Sequence, residues 1–544
     1  MLNYIYLENF RSFGAPTTVP LAPITLFFGE NSAGKTSILH ALSLLKQTQD
    51  ANDERALVVR DPRGLVDLGS FEELIFDHDL DRALRIGIGW QNPTDEGTRR
   101  TAAGSKRPLH KRARDYLGEP GGSMGKEWGF RFKRKVGIEW DSVAFTDGKS
   151  PDPLVRLRPC MEEQTASTDE VERAMREAFD GVVSFGLDRR DIAPRELDLA
   201  RDLLKRHRAT MVKALAREHA PTQGALRTRN ADLFQDLQRL VEHTDELEIW
   251  NDKCLTFFEK RWKRAYRVGG RGEMLFFGMA DIAEFLGGTR GAESADFRAM
   301  VSDFAKSVLL SQHRHTTRRD IGAKRQLARL SPLGPFRQPA ARLYTHSGVN
   351  PKGVGGRGEL VADMLHSDAD ALTRTNEWLR TFDINYQLKL RTLRARRSDV
   401  FEVRLQDTRR SGRIDVAFTD VGFGISQMLP IVVEAVGTKN RVISIEQPEV
   451  HIHPRLQAEI AGLLVDCVRN NGHQFLVETH SEHLILRLRR LVREGKVNPE
   501  EIAVIHVGQG RDGSTVQRIG IKADGTFEHE WPGGFFPERM RELL

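Results

Sequence analysis

Cysteine is the scarcest of the chemically informative residues. The chain has three, Cys160, Cys254 and Cys467, isolated from one another and odd in number. They offer neither a disulfide framework nor a cysteine-based zinc site, as expected of a reducing compartment. Long apolar runs are missing as well: no stretch approaches 18 uncharged apolar residues, which excludes a transmembrane helix. The opening MLNYIYLENF lacks the basic then apolar pattern of a secretory leader, so a cytoplasmic location and no membrane contact are expected. No a/d heptad persists over enough repeats to build a long coiled-coil arm. What remains is a soluble composition, 39% hydrophobic and 29% charged, in 544 residues, a length at which one core usually divides into several. The net charge of +6 is unevenly placed: −4 over residues 1–100, +9 over 101–340 and +1 over 341–544. Any affinity for polyanions should therefore reside in the middle.

Residues 24–28 form an apolar, strand-like run. Gly29-Glu30-Asn31-Ser32-Ala33-Gly34-Lys35-Thr36 follows at once, and then the helical pattern SILHALSLLK, which Ser37 opens. This is G-x-x-x-x-G-K-[ST] in its required setting of strand, loop and helix. Gly29 and Gly34 let the backbone fold around an anion, and the free amides of the helix start point at phosphates. Lys35 would reach the β and γ phosphates, and the Thr36 hydroxyl would ligate Mg²⁺. The motif predicts ATP and Mg²⁺ as cofactors.

A P-loop enzyme also needs an acidic residue at the end of a buried strand. The run 441–445 reads as such a strand and ends in Glu446-Gln447-Pro448-Glu449-Val450-His451-Ile452-His453, more than 400 residues beyond Lys35. Further on, QFLVETHS is a second short strand read as ending in His480. Before both lies Gly422-Phe423-Gly424-Ile425-Ser426, a glycine-bearing loop that opens the helix QMLPIVVEAV. Each feature alone has an ordinary structural explanation; their order, behind an N-terminal cradle, is the informative part. His451 and His453 alternate along an extended segment but lack a third ligand nearby, so a metal site there is not expected.

That order resembles the ABC-type ATPase head shared by SMC, RecF-like and OLD-like proteins, an α/β fold in which N- and C-terminal lobes form one nucleotide site beside a helical insertion. LENFRSFG, ITLFFGENSAGKTSILHAL, IEQPEVHIHP, LGPFRQPAARLYTHSG and DGTFEHEWPGGFFPERMRELL resemble more closely the AAA-type ATPases of bacterial anti-phage systems such as Septu. The matching segments cover about the first 90 and the last 215 residues. The resemblance implies that Arg11 approaches the phosphates and that Glu446 holds Mg²⁺ with Thr36. Gln447 would stand where the water-activating carboxylate usually is, and His480 would sense the γ-phosphate. Gly422, Gly424 and Ser426 would form a signature loop acting on the nucleotide of a second subunit, which implies a homodimer or higher oligomer. Glutamine can orient a water but cannot accept its proton, so hydrolysis is expected to be slow, or to use Glu449, His451 or His480 as base.

The expected organisation is an ATPase lobe over 1–90, an antiparallel β flap with a basic loop over 91–165, a helical insertion over 166–330, a second ATPase lobe over 331–520 and a tail packed on the head over 521–544. Lys260, Arg261, Lys263, Arg264 and Arg267, interleaved with Trp262 and Tyr266, form a candidate DNA contact, or alternatively a solvated helix face. The nuclease domain of OLD-like proteins has no room after His480, so a separate effector nuclease subunit is expected. The functional expectation is an ATP-gated dimeric sensor and scaffold that controls such a partner in phage defence. A RecF-like DNA-repair ATPase and a nucleotide-locked structural scaffold are the alternatives.

Overall fold

The computed structural model describes residues 1–51, 57–61, 64–92, 122–134, 137–146, 148–151, 153–157, 321–346, 348, 350–393, 399–409, 414–529, 531–532 and 534. The basic cluster at 260–267 and most of the expected insertion lie outside the described residues. So do Cys160 and Cys254.

The chain divides into two compact units. One comprises residues 1–100, 129–139 and 323–544; the other comprises 101–128 and 140–322. The second unit contains the first six residues of β5 (Ser123–Lys133), most of β6 (Gly137–Thr146) and all of β7 (Pro153–Leu157); β6 and β7 pair antiparallel.

In the first unit, β1 (Leu2–Glu8) pairs antiparallel with β2 (Thr17–Pro20) and with β4 (Leu84–Gln91). Residues 84–91 thus lie beside β1, on the side away from β2. A second antiparallel group joins β10 (Tyr386–Thr392), β11 (Val400–Asp407) and β12 (Asp415–Ala417), with β9 (Tyr344–Thr345) on β11.

The sheet that positions the site runs β16-β15-β3-β14-β13-β8. Its members are β3 (Ile24–Phe28), β8 (Leu330–Leu333), β13 (Val442–Glu446), β14 (Gln474–Glu478), β15 (Ile502–Gly510) and β16 (Gly513–Ile519). The strands from β15 to β8 are parallel, and β16 closes one edge antiparallel. The N-terminal β3 therefore lies between two strands contributed by the last 75 residues, and the two ends of the chain make one mixed α/β sheet. Every residue of β3 and β14 is buried, the continuous apolar run of a parallel strand covered on both faces. Because these strands are parallel, the C-terminal ends of β3, β13 and β14 share one edge, where α/β sheets bind their ligands.

The helices are α1 (Lys35–Asp50), the single turn α2 (Phe71–Leu74), α3 (Val361–Ser367), α4 (Ala369–Thr381), α5 (Phe423–Gly437), α6 (Pro454–Asn471) and α7 (Glu482–Arg493); α1 and α6 pack against this sheet, while α3 and α4 pack on α5. In α1 the buried Ile38, Leu39, Leu42 and Leu45 recur at helical spacing. Pro454 opens α6, His453 caps it by accepting from the Arg455 amide, and Gly472 closes it at φ 69°. Leu464, Val432 and Leu488 meet Phe475 and Val477 in one core. Cys467 is buried in that core. At the other end of the chain, Trp531 sets its ring edge-on to Phe28, at 5.4 Å between centroids. No helix among the described residues is long and apolar enough to cross a membrane.

His473, fully buried just before β14, sets a pH limit on this core. Its Nδ1 accepts from the Arg441 amide and its Nε2 faces the Ala435 carbonyl, which fixes one neutral tautomer. Burial lowers its pKa from 6.5 to about 4, and the Arg329 and Arg441 charges act in the same direction. The unfolded chain binds this proton more readily. The stability is thus complete above the unfolded pKa and is lost as pH falls from 6.5 towards 4, by about 3 kcal/mol. Chemical denaturation of wild type and His473→Asn across that window should give a flatter slope in the variant; parallel slopes would refute the assignment.

Candidate functional site

The cradle begins where β3 ends. Gly29 turns at φ 143°, and a Cβ there would stand 2.0 Å from the Val507 carbonyl of β15. Gly34 sits at φ 103°, with Ser12 Oγ 2.5 Å and Ser514 Oγ 2.7 Å from where its Cβ would be. Both positions require glycine on conformation and on space. Asn31 and Ser32 are exposed on the loop, whereas Ala33, Lys35 and Ser37 are buried beneath it. The β15–β16 hairpin braces the loop from far along the chain: Ser514 donates to the Ala33 carbonyl at 2.7 Å, and Gln509 donates to that of Ser32 at 3.2 Å. Lys35 donates to the carbonyls of Gly29 (3.0 Å) and Glu30 (2.6 Å), which holds its ammonium inside the cradle. Burial lowers its pKa, while the charges of Glu478 and Glu449 act to raise it. A buried ammonium in a glycine loop at a helix start has the charge and the free amides that suit an anion.

Two carboxylates stand beside it. Glu446 ends β13 and Glu478 ends β14, and the two are register partners on adjacent parallel strands. Thr36 Oγ1 donates to Glu478 Oε1 at 2.9 Å, while Glu478 Oε2 is buried without a hydrogen-bond partner. Burial, and then the charge of Glu446, raises the Glu478 pKa against the opposing bond from Thr36. Glu446 faces His40 of α1, whose Nε2 lies 3.5 Å from Oε1. Arg11 Nη1 lies 3.2 Å from His40 Nδ1. A guanidinium can only donate, so Nδ1 is the acceptor and the Nε2 proton points at Glu446. Arg11, at φ 51°, is thus linked to the strand-end carboxylate through a histidine.

Behind the strand ends, Arg337 is almost fully buried and donates to the carbonyls of Glu446 (2.9 Å) and Gln447 (3.2 Å). Burial depresses its pKa to about 10, and the charges of Glu449 and Glu446 oppose that shift. The Gln447 amide donates to the Glu478 carbonyl at 2.8 Å. These contacts hold Gln447 in the left-handed region at φ 46°, a conformation costly for a residue with a Cβ. Glu449 accepts from Thr479 Oγ1 (2.7 Å) and from the His480 amide (2.6 Å), tying together the loops that follow β13 and β14. Burial raises the Glu449 pKa. His480 itself is exposed.

Gly422 is the exposed N-cap of α5, and a Cβ built there meets nothing within 4 Å. A Cβ on Gly424 would come 2.7 Å from the His451 carbonyl, so this loop lies against the turn after β13, while Ser426 is buried. His453 serves as a helix cap.

The structure thus gathers Arg11, the Gly29–Ser37 cradle, Glu446, Gln447, Glu449 and His480 at one edge, with the Gly422 loop next to it. Sequence reasoning passed over His40, Arg337, Ser514 and Glu478. Glu478 had a signal: like Glu446, it is a carboxylate closing a short, mostly apolar strand.

The chain's similarity to known proteins agrees with this geometry. The family model of the AAA ATPase domain matches residues 1–90 and 362–485, less than half of the chain but including the cradle and both strand ends. No curated protein matches. Among solved structures, the Smc head domain of Pyrococcus furiosus with an extended coiled coil, bound to the C-terminal domain of ScpA, is 11% identical with a TM-score of 0.36, covering 100% of this chain and 98% of that one. The SMC head domain from Thermotoga maritima is 8% identical with a TM-score of 0.34, covering 95% and 98%. An SmcHead bound to the C-winged helix domain of ScpA is 10% identical with a TM-score of 0.38, covering 96% and 98%. At such scores the fold assignment rests on the strand order itself. The residues matched by the family model come from both ends of the chain, the same ends that contribute β3, β13 and β14 to one sheet.

Proposed function

We propose that the chain is an ATP-gated sensor and scaffold that turns over slowly, closes as a dimer on bound ATP and controls a partner effector nuclease in anti-phage defence. One observation carries this reading: a complete phosphate cradle stands beside strand-end carboxylates, while glutamine occupies the position next to Glu446. The resemblance of the cradle and strand-end segments to defence ATPases supports the biological setting.

In this reading Lys35 and the α1 amides bind the β and γ phosphates, and Arg11 adds a guanidinium held in place by His40. The oxygens of Thr36 and Glu446 suit Mg²⁺, a hard cation, and the buried Oε2 of the neighbouring Glu478 has no hydrogen-bond partner among the described residues. When bound, Mg²⁺ supplies neutralisation of phosphate charge. Arg337 fixes the turn that carries Gln447, and Glu449 fixes the His480 backbone. Gln447 can orient a water through its amide but cannot take its proton, so a bound nucleotide persists. Gly422, Gly424 and Ser426 would then present the α5 amides to the nucleotide of a second copy. The glutamine also favours a second reading, a nucleotide-locked scaffold without turnover.

Light scattering with ATP tests the dimer. The wild-type mass should double, and Gly422→Arg, an exposed site with room for a side chain, should stay monomeric. An ATP-independent mass in the wild type would refute closure. Slow but measurable phosphate release separates the gated reading from the locked one, and tight salt-sensitive duplex DNA binding without a partner would favour a repair role instead.

A further inference from the structure

The edge of the sheet holds more acidity than a nucleotide site with a single strand-end carboxylate requires. We propose that Glu478 is a second carboxylate ligand for the divalent cation that accompanies the nucleotide, acting with Thr36 and Glu446. The inference rests on the nucleotide reading above and extends it to a residue outside the motif.

Three observations carry it. First, the P-loop hydroxyl is already committed to Glu478. Thr36 Oγ1 donates its proton to Oε1 at 2.9 Å, which leaves the hydroxyl lone pairs free for a cation and fixes both oxygens together. Second, the other oxygen, Oε2, is buried and has no partner among the described residues, on a side chain only 3% exposed. A buried carboxylate oxygen left bare costs free energy comparable to a lost charged hydrogen bond, and a cation is the partner that would satisfy it. Third, Glu478 lies beside Glu446 in strict register, so two like charges face the same edge. Such a pair disfavours itself unless a cation sits between its members or a proton is shared. Lys35 is engaged with the loop carbonyls, and His40 faces Glu446. All the donors are oxygens, which matches Mg²⁺ or Mn²⁺ in preference to softer metals.

The competing explanation is purely structural, with Glu478 serving as the acceptor that orients Thr36. Glu478→Gln separates the two, because its amide keeps an oxygen for Thr36 and the same volume while losing the charge. Two readouts on the full chain are needed: Mn²⁺ binding, followed by electron paramagnetic resonance in the presence of a non-hydrolysable ATP analogue, and binding of a fluorescent ATP analogue in EDTA. Glu478→Gln should weaken Mn²⁺ by about tenfold or more and leave metal-free nucleotide binding intact. Wild-type Mn²⁺ affinity in Glu478→Gln, with a loss in Glu446→Gln, would overturn this inference alone and reduce Glu478 to an acceptor for Thr36. A wild type that takes up no nucleotide would overturn the nucleotide reading and this inference together.

Discussion

Gln447→Glu is expected to raise steady-state phosphate release by about 10²-fold or more, the usual contribution of a positioned general base. The substitution changes one amide into a carboxylate of the same size. The turn that carries it is held from outside: Arg337 fixes the carbonyls of residues 446 and 447, and the amide of residue 447 bonds to the Glu478 carbonyl. The φ of 46° is no more costly for glutamate than for glutamine. Added negative charge beside Glu446 and Glu478 works against the gain, so Mg²⁺ dependence should steepen in the variant. A phosphate-release assay on both proteins decides: rapid turnover in the wild type, or no gain in the variant, would show that another group already serves as base. Glu449 is one alternative, but both of its oxygens already accept hydrogen bonds, from Thr479 and the His480 amide.

Glu446→Gln acts in the opposite direction. Turnover should fall by about 10²-fold or more, as when one preorganised electrostatic stabiliser is removed, while nucleotide binding persists because Lys35 and the loop amides are untouched. The neutral side chain still accepts the His40 Nε2 proton, so the Arg11–His40 link survives. Filter binding of labelled ATP alongside phosphate release separates the two effects; equal losses in both would place Glu446 in ground-state binding instead.

The contrast between these variants reflects how differently the two halves of the site are written. The cradle is contiguous: Gly29, Gly34, Lys35 and Thr36 lie within one strand–loop–helix passage, and each residue type has a local physical reason. The strand-end carboxylate was legible for a similar reason, because Glu446 closes an apolar run. Glu478 closes another, two residues before His480, and its meaning lies in register with β13, which no local pattern encodes. Arg337 is a single cation in a proline-bearing stretch, and only burial and two carbonyl contacts give it a role. Ser514 braces a loop 481 residues away. Long-range hydrogen bonds of this kind follow from strand order, and the order β15-β3-β14-β13, which interleaves the two ends of the chain, could not be read from either end alone.

Titration calorimetry of Mg·ATP into the full chain tests the central claim, that the two ends of the chain build one nucleotide site around Lys35. Wild type should bind one ATP per chain saturably, and Lys35→Ala, which removes the ammonium from the cradle without touching the strands, should lose that binding by about 10²-fold or more. No binding by the wild type, or equal binding by Lys35→Ala, would contradict it.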